Sequence, residues 1–178
     1  MRVRRLHFLV LAAFTTLALS AQQHPVSERA AARIQKEVLH ELRMLPYLTV
    51  FDNLAFRVDG DKVTLLGQAV NPFNKIDAEK AVKGIEGVEQ VDNQIEVLPV
   101  SPMDDRLRIA LYRAIYGYPT LEKYALPVIK PIRIIVKNGH VTLEGVVDSQ
   151  TDKDIAGLRA NGVPGIFSVT NNLQVAKS

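Results

Sequence analysis

Two stretches of the chain carry the same succession of apolar periods. In the first, Ile34, Val38, Leu42 and Leu45 recur at helical spacing, with Ser27 placed as N-cap and Pro46 beyond the last turn. Leu54, Phe56 and Val58 then alternate, reach Asp59-Gly60, and the alternation returns through Val63 and Leu65. Asp-Gly between two alternating runs predicts a hairpin, because these residues tolerate positive φ. A second helix is expected over 73–83, stopped by Gly84, and a last strand over 90–97. The second stretch repeats each step. Asp104 is placed as cap before Leu107, Leu111, Ala114 and Ile115, and Pro119 closes the helix. Ile132, Ile134 and Val136 lead to Asn138-Gly139 and back through Val141 and Leu143. A helix over 151–160, stopped by Gly162, and a strand over 168–175 follow. Gly157 inside that helix costs about 1 kcal/mol against alanine, so a close helix–sheet approach is expected there.

The likeness extends beyond the pattern. Residues 54–97 align with 132–175 at a constant offset of 78, without a gap, and twelve positions are identical. They include Val63/Val141, Thr64/Thr142, Leu65/Leu143, Gly67/Gly145, Gly87/Gly165 and Asn93/Asn171. Two copies are too few for a solenoid, so the repeat predicts tandem domains. The expected class is α+β: two small α-β-β-α-β sandwich domains, each a three-stranded sheet with two helices on one face. The expected divisions are 1–21, 22–98, a short proline-containing linker at 99–102, and 103–178. Units this small bury only about 60% of their unfolded surface, so packing of one on the other is expected.

Segment 1–21 has the organisation of a secretory signal. Arg2, Arg4 and Arg5 precede an apolar run at 8–19, and Ala18-Leu19-Ser20 offers small residues for cleavage before Ala21. The run is shorter than the ~18 residues of a spanning helix, and an uncleaved anchor is the alternative. Without those three arginines the formal charge of +3 falls to zero, which disfavours general nucleic-acid binding. The absence of cysteine excludes disulfides, thiolate metal sites and cysteine nucleophiles.

The motif Val-x-x-x-x-Val-Thr-Leu-x-Gly at 58–67 and 136–145 is followed by Gly-Val-x-x-Val-x-Asn-x-Ile-x-Val at 87–97. Gly165-Ile-x-x-Val-x-Asn-x-Leu-x-Val is its second form. In this order the motifs resemble the BON domain (bacterial OsmY and nodulation), in tandem, over nearly the whole chain after the signal. The resemblance implies an exported, non-enzymatic periplasmic module linked to envelope integrity or osmotic stress. It also implies a partner that is phospholipid, protein or polysaccharide, and it supplies no catalytic motif, cofactor or metal.

The residues agree on the last point. His24, His40 and His140 stand apart from any nucleophile motif and read as surface histidines. Asp104-Asp105 and Asp152 with Asp154 read as helix-start residues rather than as acid/base or metal groups. No phosphate loop, small-molecule site or metal pattern occurs.

Charge is divided unevenly. Residues 22–100 carry 9 basic and 12 acidic groups, and 101–178 carry 10 and 7. Opposite signs favour mutual packing, or direct the second domain to anionic surfaces. On the helix beginning near Asp104, the side opposite Leu107, Leu111 and Ile115 collects Arg106, Arg108, Ile109, Tyr112, Arg113 and Tyr116. Arginine attracts phosphate, and tyrosine suits the headgroup boundary. Arg106, Arg108, Tyr112, Arg113 and Tyr116 are therefore a candidate patch for anionic phospholipid. The alternative is that the tyrosines, four of the chain's five falling in 112–124, fill the contact between the domains or the adjoining core. The competing partner classes are an envelope protein held at exposed apolar surface or a free strand edge, and a polysaccharide.

Overall fold

The structure is a computed structural model that describes residues 28–177; the signal-like segment, His24 and the Ser27 cap lie outside them. The first unit runs α1 (Glu28–Arg43), β1 (Asn53–Asp59), β2 (Lys62–Ala69), α2 (Pro72–Lys83), β3 (Gln90–Asn93) and β4 (Glu96–Val97). The second runs α3 (Pro102–Tyr116), a 3₁₀ turn (Pro119–Ala125), β5 (Ile132–Lys137), β6 (His140–Val147), α4 (Gln150–Asn161), β7 (Ser168–Asn171) and β8 (Gln174–Val175). In each sheet the hairpin strands are antiparallel. The third strand returns parallel to the middle one, which gives a mixed sheet in a fold of class α+β.

That third strand is broken into β3/β4 and β7/β8, and the repeated asparagine explains why. Asn93 Nδ2 donates to the Lys75 carbonyl of α2 at 2.8 Å, while its Oδ1 accepts from the Ile95 amide at 3.2 Å. Asn171 does the same with the Lys153 carbonyl and the Leu173 amide. The side chain staples helix to sheet and turns Ile95 and Leu173 inward, where both are fully buried. The helices lie over the sheet and close a core for each unit. Ile34, Val38 and Leu42 meet Val63, Leu65 and Val82 in the first; Leu107, Leu111 and Ile115 meet Ile134, Val141 and Leu143 in the second.

The repeated Gly67 and Gly145 stand at φ 106° and 122°, where a Cβ would lie 1.9 Å from the carbonyl oxygen of Asn53 or Pro131. Any side chain there strikes the neighbouring strand's backbone, so these glycines are required by the hairpin itself. Gly157 makes the close approach expected of it: a Cβ would lie 2.8 Å from Asn171 Nδ2.

Local details differ from the sequence reading. Ser101, not Asp104, caps α3, and Pro102 is its first residue rather than linker. A proline is favoured at N1 because its missing N–H is unpaired there anyway. The helices end at Arg43 and Tyr116, before Pro46 and Pro119, and Pro119 opens the 3₁₀ turn instead. In the first hairpin Asp59 pairs with Lys62, so the loop is Gly60-Asp61, one residue later than expected. Gly84 and Gly162 do cap their helices, but in right-handed conformation.

The units are joined by the segment before β1. The Ile134 amide donates to the Val50 carbonyl at 3.0 Å and Arg133 Nη1 to the Thr49 carbonyl at 2.9 Å. Val50 and Phe51 pack against the second unit's core. Asp52, itself buried, holds this segment by accepting from the Thr49 and Val70 amides.

Candidate functional site

Helix α3 does not present the five candidate residues to one surface. Its apolar side packs on the second sheet, and its flank lies along the outer edge of β5. The pairing of β5 with β6 turns the backbone groups of Ile132, Ile134 and Val136 outward. Each of the three residues has one such group met. Tyr116 donates its hydroxyl proton to the Ile132 carbonyl, Val50 receives the Ile134 amide, and Arg108 Nη2 donates to the Val136 carbonyl at 2.8 Å. Arg108 and Tyr116 are each only 3% exposed. Burial pushes the Tyr116 phenol well above its ordinary pKa. Arg108 also binds Asp105 through Nη1 at 2.6 Å. Tyr112 is half-buried between Phe51 of the first unit, at 6.5 Å between ring centroids, and Tyr116, at 4.9 Å.

The five-residue surface patch is thereby corrected. Arg108 and Tyr116 close a sheet edge, because an unpaired backbone carbonyl under a helix costs more than bringing a guanidinium or a phenol to it. Tyr112 belongs to the contact between the units. Arg106 and Arg113 stay exposed, with Ile109 between them at 51% exposure.

The acidic residues read as helix-start groups have larger tasks. Asp104 is 1% exposed and accepts from the amides of Asn138 and Gly139, at 2.9 and 2.8 Å, so it clamps the hairpin turn. Asp152 accepts from the Tyr124 hydroxyl at 2.8 Å and pairs with Lys123 at 3.0 Å. Desolvation raises its pKa, but the hydrogen bonds from Tyr124, Lys123 and Ser149 outweigh that and leave it below the ordinary value. Tyr118 lies under the Arg159 guanidinium, 5.0 Å from ring centroid to Cζ. The tyrosine cluster is thus mostly packing: Tyr112 and Tyr116 lie against each other, while Tyr118 and Tyr124 have partners of their own.

The first unit has no such closure. Ile34 stands over Gly87 as Leu107 stands over Gly165. This equivalence puts Gln35, Leu39 and Arg43 of α1 where α3 has Arg108, Tyr112 and Tyr116. All three are exposed. Among the described residues nothing hydrogen-bonds the outward backbone groups of Leu54, Phe56 and Val58. Those side chains are half-buried, whereas their counterparts Ile132, Ile134 and Val136 are fully buried. A groove of about 670 Å³ runs beside residues 53–56, walled by Leu39 and Leu42 of α1 and by Ile129, Pro131 and Val146 of the second unit.

A family model for the BON domain matches residues 30–99 and 121–177. The chain belongs to the BON-domain family. The second BON match begins beyond α3, the helix that departs from its first-unit counterpart. No curated protein matches the chain significantly. Among solved structures it is similar to CdsD, a structural protein of the type III secretion system of Chlamydia trachomatis. Identity is 14%, covering 82% of this chain and 94% of that one, with a TM-score of 0.29. The C-terminal domain of CdsD gives 13% identity, 80% and 96% coverage, and a TM-score of 0.28.

Among the described residues neither BON unit brings a nucleophile together with a base held by a carboxylate. His40 is exposed on α1. His140 Nδ1 lies 2.7 Å from Ser168 Oγ at an exposed sheet end, against the Phe167 ring. No carboxylate among the described residues binds that imidazole, so nothing fixes its orientation. Among the described residues no helix is long and apolar enough to cross a membrane. What the arrangement offers is surface: a basic ridge on α3 and an open sheet edge in the first BON unit.

Proposed function

We propose that this protein is an exported, non-catalytic envelope module that makes weak, reversible contact with anionic phospholipid through the outer side of α3. Membership of the BON family supports the general class, since BON domains are associated with membrane phospholipid. The observation that carries the reading is the ridge of Arg106, Ile109 and Arg113. Both arginines are exposed and neither is in an ion pair among the described residues, while the neighbouring Asp105 pairs with Arg108. Met103, 49% exposed, extends the apolar part toward the start of the helix. Each cation near an anionic surface contributes about 1 kcal/mol. Two arginines with one partly inserted isoleucine suffice for contact and fall far short of anchoring.

Flotation with phosphatidylglycerol-containing and pure phosphatidylcholine vesicles tests this. The protein is expected to float with the anionic vesicles only, and less as salt rises. The variant Arg106→Glu/Arg113→Glu is expected to stay folded, since both side chains are exposed, and to lose flotation. Unchanged flotation of that variant contradicts the reading.

A further inference from the structure

The open edge of β1 differs from an ordinary sheet edge in three respects. It is apolar: Leu54 and Phe56 are half-buried and lie beside Leu39, which is 40% exposed. It is blocked at one end: the chain leading into β1 is bonded to the second unit through Thr49 and Val50, and Ile129, Pro131 and Val146 of that unit line the groove. It is cationic at that end: Arg133 Nη1 bonds the Thr49 carbonyl, and Arg43 and Lys130 lie with it beside Thr49 and Val50. Arg43, Lys130 and Arg133 all line the groove, no Asp or Glu lines it, and no ion pair among the described residues neutralises any of the three. Burial disfavours the charged form of Arg133 and outweighs the help of Tyr116 and Asp52, and the like charge of Arg43 adds a smaller push in the same direction as burial. A cluster of this kind is stabilised by an incoming anion.

We propose that the outer edge of β1 receives the extended C-terminal tail of a partner polypeptide as an added strand, with its terminal carboxylate at Arg43, Lys130 and Arg133. The outward amides and carbonyls of Leu54 and Phe56 supply the main-chain pairing. The blocked end requires a chain that stops there, and the three cations select a carboxylate rather than an amino terminus. The tail therefore runs antiparallel to β1. A second copy of β1 does not fit, because its chain continues past both ends of the strand, whereas the blocked end requires a chain that stops there. On the equivalent edge of β5 one bond of this kind is already present, from the outward amide of Ile134 to the Val50 carbonyl. This site is separate from the α3 ridge and does not depend on lipid contact.

The test is fluorescence anisotropy of a fluorescein-labelled hexapeptide of alternating threonine and valine with a free C-terminal carboxylate, titrated with the whole protein. Saturable binding is expected, at least tenfold weaker for the C-terminal amide and lost when every amide on the pairing side of the peptide is N-methylated. Arg43→Ser/Lys130→Ser, checked by circular dichroism, is expected to weaken binding at least fivefold, whereas Arg106→Glu/Arg113→Glu leaves it unchanged. Absence of saturable binding overturns the proposal. So does equal affinity for the acid, the amide and the N-methylated peptide. If lysophosphatidylglycerol below its micellar concentration binds with dependence on Arg43 and Lys130 while the peptide does not, the groove belongs to a lipid and the proposal fails.

Discussion

The outer edges of β1 and β5 occupy equivalent places in two copies of one fold, yet one is open and the other is closed. Along β5 each of the three outward-facing residues has a backbone group satisfied, by Tyr116, by the Val50 carbonyl and by Arg108. Along β1 the equivalent groups of Leu54, Phe56 and Val58 have no such partners among the described residues. The difference lies in the flank of the first helix of each unit: Arg108, Tyr112 and Tyr116 on α3, Gln35, Leu39 and Arg43 on α1. An edge strand is a template for pairing with another chain. Closing the β5 edge with a helix flank and the neighbouring unit leaves the equivalent β1 edge open, beside a cationic wall contributed in part by the second unit.

The largest expected contrast is in the strands themselves. Ile134→Ala removes a fully buried side chain and is expected to cost about 2–5 kcal/mol in urea unfolding. Phe56→Ala, at the equivalent but half-buried position, is expected to cost roughly half of the 3–5 kcal/mol typical of a buried phenylalanine. A Phe56→Ala cost in the full range of about 3–5 kcal/mol would mean that β1 is as well covered as β5. A contrast of similar size separates the helix flanks. Arg108→Ala strands the Val136 carbonyl under α3 and should cost about 1–3 kcal/mol. Gln35→Ala, its exposed counterpart, should stay within about 0.5 kcal/mol of the wild type.

The smallest contrast is in acid response. Asp152 of the second unit stands at the repeat position of Asn74 in the first, and both side chains are buried. The pKa of Asp152 lies below its ordinary value, so the unfolded chain binds this proton more readily than the folded one. The resulting stabilisation is complete above the ordinary aspartate range, about pH 4, and is lost as pH falls through the lower folded value. Asp152→Asn, which installs the first unit's residue, should flatten stability against pH below about 4. Midpoints of urea unfolding at pH 3 and pH 6 measure this, and an unchanged acid loss in the variant would remove Asp152 from the account.

The parts of this molecule that follow period and turn chemistry were legible from residues alone. The alternation of Leu54, Phe56 and Val58 and the glycine-containing turns marked the hairpins, and the 78-residue offset marked the two units. The importance of Asn93 and Asn171 was visible as identity, although their stapling of helix to sheet was not. Arg108 was misplaced because a helical wheel assumes that a single apolar side is buried. Here burial continues past that side to the β5 edge, and a long side chain carries its charge inward to a carbonyl. Tyr116 follows the same logic. Asp104 was given a cap's role because its partners, the amides of Asn138 and Gly139, are 34 and 35 residues away. What distinguishes the two units is therefore set by contacts across the fold, to which local pattern is blind.

The open-edge and closed-edge assignment is tested most directly by residue-resolved amide hydrogen exchange under native conditions. The amides of Ile134 and Phe56 hold the same position in the repeat and point away from their hairpin partners. Ile134, bonded to the Val50 carbonyl, is expected to exchange at least ~100-fold more slowly than Phe56, as a hydrogen-bonded amide does relative to a free one. Protection of Phe56 equal to that of Ile134 would contradict the assignment and close the β1 edge to any partner.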